Sequence, residues 1–193
     1  VNRILEIARG DRHVAVSPTR DCGIPLRSGI AMDSQLVSTN EHFNWLSSVD
    51  KLLKILLRLQ RAYGLRFEES AKFDAQNQIL RVAKEYQGNH HSLIPADMTY
   101  AEFRRHCYRI ATAQGIRFHR ERHTYAYLRY KRLIGAEPPV MVGIPHGDAH
   151  YEWLAVQLRI FPVEAKERDQ AVRAQIAQEL GHSRIEVTNA YLG

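Results

Sequence analysis

AVRAQIAQELGHSRIEVTNAYLG, residues 171–193, decides how this chain is read. The stretch divides at Gly181, a residue type suited to the end of a helix. Before it runs an alanine-rich segment with helical spacing. After it comes RIEVTNAYL, a second short helix that carries Tyr191, with Ser183 or His182 as its expected cap. A helix, a Gly-His turn and a second helix hold an imidazole close to a phenol nine residues later. Two helices packed only for stability would look the same from this stretch, so the rest of the chain has to decide.

Upstream, the spacing of Leu52, Leu53, Leu56, Leu59 and Tyr63 in NEHFNWLSSVDKLLKILLRLQRAYG predicts an amphipathic helix stopped by Gly64. QNQILRVAKEYQG, TYAEFRRHCYRIATAQG, HRERHTYAYLRYKRLIG and PVEAKERDQAVRAQIAQELG read as further helices that finish on glycine. Residues 136–150, AEPPVMVGIPHGDAH, interrupt them as a proline-rich loop, within which PVMVGI is the one stretch that suggests a strand. Residues 1–40 show Pro, Gly and Ser at irregular intervals and read as a linker or the remnant of a preceding domain; residues 41–193 read as one mainly α domain.

The composition narrows the function classes. With 193 residues and 45% hydrophobic side chains the chain can bury a real core. Its net charge is +6, and most of its 27 basic residues are arginine, the side chain whose planar fork suits phosphate. Nucleic acid is therefore the first partner to consider. Cys22 and Cys107 form neither a disulfide framework nor a zinc motif, and no signal peptide or long apolar run is evident, which suits a cytoplasmic protein.

Three separated segments share one chemistry. RAYGLRFEES places Arg66 just after a helix-ending glycine, with Glu69 one turn on. FHRERHTYAYLRY places His119 and Arg122 on one face at the start of a helix. The closing stretch adds His182 and Tyr191. Two arginines, two histidines and a tyrosine are the parts needed to attack a phosphodiester without a metal. Tyrosine is a weak nucleophile at its ordinary pKa of roughly 10 and needs neighbours that take its proton. Arginine forks can hold the phosphate oxygens as charge gathers on them, and a histidine can relay the protons.

These segments resemble the catalytic domain of tyrosine recombinases, the family of phage integrases. Gly64-Leu65-Arg66 with Glu69 is similar to the family's first box, His119, Arg122 and His123 to its His-x-x-Arg-His box, and Leu180-Gly181-His182 with Tyr191 to its last box and nucleophile. The resemblance covers residues 41–193 and is closest to a proteobacterial integrase subgroup. It implies an α+β family fold, cleavage and rejoining of double-stranded DNA through a 3′-phosphotyrosine, no metal or other cofactor, and a homotetramer on DNA at the nucleoid. In that scheme Arg66 and Arg122 clamp the phosphate, His119 and His182 share hydrogen bonding and proton transfer, and Glu69 and His123 support them. Arg104 and Arg105, with Arg109, and Lys131 and Arg132 would track the DNA backbone. The segment from Ser183 onward is expected to be loosely held, with the phenol outside the pocket until DNA orders it.

Two departures from the family stand out. Its hairpin lysine, expected to protonate the leaving oxygen, has no counterpart, because Phe73 runs almost directly into QNQILRVAKEYQG and the small sheet would be reduced. Lys72 and Lys84 are the nearest lysines, and neither has a strand-like setting. The interval from His119 to His182 is also longer than the family's. Other readings compete. A DNA-binding module could keep the fold without the chemistry. A metal-dependent hydrolase could use the HRERH pair or His146, Asp148 and His150, although HRERH lacks the order of a zinc-protease motif.

Overall fold

A computed structural model describes residue 23 and residues 29–74, 81–88 and 90–193, and it is mainly helical, with no strand among these residues. The long segment that begins at residue 39 is two helices, α1 (Thr39–Ser48) and α2 (Lys51–Tyr63). They separate because Asp50 takes an extended conformation and its carboxylate accepts from the Leu53 amide, a stronger start signal than the continuing apolar pattern. Gly64 stops α2 in the left-handed region. Beyond it lie the short α3 (Phe67–Ala71) and α4 (Arg81–Gln87); the first residues of QNQILRVAKEYQG fall outside the described part. Next is α5 (Tyr100–Ala113), opened by a reciprocal cap between Thr99 and Glu102.

Helix α6 (Phe118–Ile134) positions the site, because it crosses between two apolar clusters. Its first residue, Phe118, belongs to a cluster built mainly on α1, α2 and α5. Six of that cluster's side chains come from α2 (Leu52, Leu53, Ile55, Leu56, Leu57 and Leu59), each contributing roughly 1.5–3 kcal/mol on burial. The later α6 residues Ala126, Tyr130 and Ile134 belong to a second cluster with α8 (Asp148–Leu158), α9 (Pro162–Glu179) and α10 (Asn189–Leu192). Positions 119, 122 and 123 fall at the seam.

PVMVGI is not a strand. Pro139 opens a four-residue helix, α7 (Pro139–Val142), and Gly143 closes it in the left-handed region, so its ends follow backbone chemistry rather than apolar alternation. Neither Ser183 nor His182 caps the final segment: a 3-10 turn (Ile185–Thr188) starts after Arg184 and runs into α10. Residues 29–38 also lie on the helices. Val37 is fully buried and its amide donates to Thr124 of α6, Arg120 donates to the carbonyls of Gln35 and Leu36, and the Ala31 amide donates to the Asn189 carbonyl. Under this strap, the buried Glu121 accepts from Arg61 and pairs with His42. No described helix is long and apolar enough to cross a membrane.

Candidate active site

The site is assembled around Gly64. Its φ is +66°, and a Cβ there would lie 2.5 Å from Tyr125 and 2.7 Å from Leu180. Glycine thus meets two demands at once, a left-handed stop for α2 and the close approach of α6 and α9. The chain then turns extended at Arg66, which caps α3. Glu69 accepts from the Arg66 amide at 2.7 Å and from its guanidinium at 2.9 Å, fixing the exposed arginine at the mouth of the site.

Arg122, on the second turn of α6, is only 1% exposed. Its Nη1 donates to the Gly64 carbonyl and, at 3.5 Å, to Glu69; its Nη2 donates to the Leu180 carbonyl and, at 3.2 Å, to His182 Nε2; its Nε donates to the Tyr191 hydroxyl at 3.2 Å. All five guanidinium N–H groups are thereby engaged. This one side chain joins the three segments that the sequence keeps farthest apart. Arg66 and Arg122 meet opposite oxygens of the same Glu69 carboxylate, which brings both within reach of one small anion. Arg122 is not an open fork, however: an incoming phosphate must displace Glu69, His182 or Tyr191 from it.

Tyr191 is in the pocket, contrary to the expectation that it waits outside. It is buried, Leu192 after it is fully buried, and the Gly193 carbonyl accepts from Arg173 of α9. Its ring lies against His123, His119 and His182, with centroids 4.7, 6.0 and 6.1 Å away. The hydroxyl is 3.4 Å from His182 Nε2. The network assigns the protons. Arg122 can only donate, so His182 Nε2 must accept, and the imidazole carries its proton on Nδ1. Nε2 has a single lone pair, so it accepts either from Arg122 Nη2 or, when that arginine turns to an incoming phosphate, from the Tyr191 hydroxyl 3.4 Å away, whose oxygen receives Arg122 Nε–H. A base therefore stands at the phenol.

The electrostatics suit that role. Burial, then the Arg122 and Arg66 charges, hold His182 below the usual histidine range. Partial burial and the same two arginines do so for His119, although its side chain still reaches solvent. His123 is pushed down to about 4 by burial first and then by His119 and Arg122, and its Nδ1 is buried with no hydrogen-bond partner. Three neutral imidazoles therefore surround the phenol near neutral pH. Behind them the end of α9 is held by Glu179, which accepts from Arg129 and Tyr125 and sits at about 2 chiefly because of the Arg129 bonds.

A cleft of about 210 Å³ opens from Arg66 and His119 toward Tyr100, Arg104 and Tyr108, and beside it Arg104, Arg105 and Arg109 edge a broader groove along α5. Tyr100 and Tyr108 line this cleft without belonging to any of the three sequence segments that supply the site. Tyr108 was legible as the residue one turn beyond Arg104, and the Arg104 guanidinium lies 4.9 Å from its ring centroid. Lys131 and Arg132 are not brought to this groove. They lie near the other end of α6, roughly 14 Å along its axis from Arg122, and Lys131 pairs with Glu137. Lys72 pairs with Glu68 at 2.6 Å and lies over Tyr100, at the cleft's edge, while Lys84 is on α4. His146 and His150 turn toward Asp169 rather than toward Asp148, and no described group of His, Cys, Asp or Glu is arranged to hold a metal ion. No family model, curated protein or solved structure matches the chain.

Proposed function

We propose that residues 41–193 form the catalytic domain of a tyrosine recombinase, a site-specific integrase that cuts and rejoins double-stranded DNA through Tyr191. The observation that carries this reading is the Tyr191 hydroxyl, which receives Arg122 Nε–H and faces His182 Nε2, with both partners arriving from distant segments. In the reaction the phenol oxygen attacks a backbone phosphorus and its proton passes to His182. The bond to the 5′ oxygen breaks and that oxygen takes the proton on from His182, leaving a 3′-phosphotyrosine, a 5′ hydroxyl and a neutral imidazole, and attack by a partner strand's hydroxyl reverses the step. Arg66 and Arg122 hold the non-bridging oxygens, with Arg122 exchanging Glu69 or His182 for phosphate. His119, at the cleft mouth, donates its neutral imidazole N–H to the phosphate. The basic groove along α5 tracks the DNA backbone, and four protomers act together on two duplexes, as the family resemblance implies.

A second reading, a DNA-binding module without the chemistry, is favoured by the complete internal satisfaction of Arg122 and by the Glu68 pairing of Lys72. One experiment separates the two. Wild type and Tyr191→Phe are incubated in EDTA with a pool of randomised nicked duplexes, and covalent products are resolved by denaturing electrophoresis and mapped by mass spectrometry. The recombinase reading expects a DNA adduct on Tyr191 that Tyr191→Phe loses. An adduct that persists in Tyr191→Phe removes Tyr191 as nucleophile. Retention of DNA without any adduct puts the binding module ahead.

A further inference from the structure

Resting on the nucleophile role given to Tyr191 above, we infer that Arg173 is a positioning residue, which sets the Tyr191 hydroxyl against Arg122 and His182. Helix α10 has four residues, far too few to hold a conformation by its own hydrogen bonds. Its placement must come from outside. Arg173, only 1% exposed on α9, reaches both flanks of the tyrosine: Nη1 donates to Asn189 Oδ1 at 2.9 Å and to Thr188 Oγ1 at 3.4 Å, and Nη2 donates to the Gly193 carbonyl at 3.1 Å. The fork is itself fixed, because Nε donates at 2.9 Å to Asp169 one turn earlier, a fully buried carboxylate that also receives the Tyr130 hydroxyl and His146.

The geometry has a consequence for the reacting pair. His182 follows directly on the end of α9, and Tyr191 is tied to the same helix through Arg173. Both partners of the 3.4 Å contact are thus referenced to one rigid element. A planar fork that binds on either side of residue 191 fixes rotation as well as distance. Lysine would keep the charge and lose the fork. A misplacement of the reacting oxygen by about 1 Å can cost up to about 100-fold in rate.

The test uses the full chain with 3-fluorotyrosine incorporated and the Tyr191 resonance assigned by its loss in Tyr191→Phe. In Arg173→Lys we expect the Tyr191 fluorine resonance to move or broaden, and the single-turnover rate of adduct formation to fall roughly 10- to 100-fold, with DNA affinity within about twofold of wild type. Asn189→Ala, which deletes one acceptor and leaves the buried arginine in place, should do the same more weakly, and it serves if Arg173→Lys does not fold. A residue that only stabilised the domain would lower the unfolding midpoint while leaving resonance and rate unchanged in the folded protein; that result overturns the proposal. A resonance that shifts in the variants while wild type forms no adduct keeps the positioning role and sinks the recombinase reading instead.

Discussion

Arg122→Ala probes the centre of the site, and its cost can be worked from the contacts. The substitution deprives two buried main-chain acceptors, the Gly64 and Leu180 carbonyls, of their charged donor, and leaves the Tyr191 hydroxyl and His182 Nε2 without theirs. A hydrogen bond from a charged group contributes about 1.5–3 kcal/mol, and a buried acceptor left unpaired loses about 1–3 kcal/mol. Against this, the variant no longer buries a guanidinium whose one carboxylate partner, Glu69, stands at 3.5 Å and is shared with Arg66. That relief is partial, so the net loss should be about 3–5 kcal/mol, the range for breaking a buried charged network. For a chain of this size it corresponds to a fall in Tm of very roughly 10 °C. Urea unfolding followed by far-ultraviolet circular dichroism measures it. Arg122→Met supplies the control, because methionine refills the volume and leaves the same carbonyls unpaired, so most of the loss, about 2–3 kcal/mol, should remain. If methionine restores wild-type stability, packing and not hydrogen bonding explains the loss at Arg122, and the hub described here is wrong.

Three further outcomes are expected. Since His119, His123 and His182 are all held below the ordinary value of 6.5, the acid limb of the cleavage rate at limiting DNA should have its midpoint below 6.5; a midpoint at or above 6.5 would contradict a neutral His182 as base. Their linkage to stability has the same sign: the unfolded chain takes up these protons first as pH drops through 6.5, so stability declines there and levels off once the native histidines are also charged. Gly64→Ala should cost about 2–4 kcal/mol, because it adds the Tyr125 and Leu180 overlap to the left-handed backbone, whereas Gly115→Ala, with φ +67° and open space around it, should cost about 1 kcal/mol; equal losses in thermal unfolding would dismiss the close approach at Gly64. In salt titrations of DNA binding, Arg104→Ala should reduce the slope of log K against log salt by about one unit and Lys131→Ala by much less; the reverse order would move the DNA track away from α5.

Much of the local structure was legible because its signals sit within a few consecutive residues. Gly64, Gly135 and Gly181 follow helix ends in left-handed conformations that glycine adopts without strain, whereas the start at Asp50 was masked by apolar spacing that continues from α1 into α2. The candidate site was legible as a set of parts: the order of Arg66, His119, Arg122, His182 and Tyr191, and their places at helix starts and ends. Their arrangement was not. Arg122 and Arg132 stand on the same helix in similarly charged surroundings, yet one is buried beneath Gly64 and Leu180 and the other faces solvent, because only one of them lies where α2 and α9 close on α6.

Helix α9 gives the clearest separation of the two levels. Glu164 with Arg168 and Asp169 with Arg173 are both acid–arginine pairs four residues apart, and the sequence determines only that each can form. The first is an ordinary exposed pair, with side chains about half accessible; the second is fully buried and reaches the residues on both sides of Tyr191. What differs is the packing around the helix, which turns one face to water and the other to Tyr130, His146 and the chain's last residues. Spacing along a helix is set by covalent geometry and can be read residue by residue. Burial depends on which distant segments arrive, and the tertiary structure alone decides whether a charged pair is surface decoration or the anchor of a candidate nucleophile.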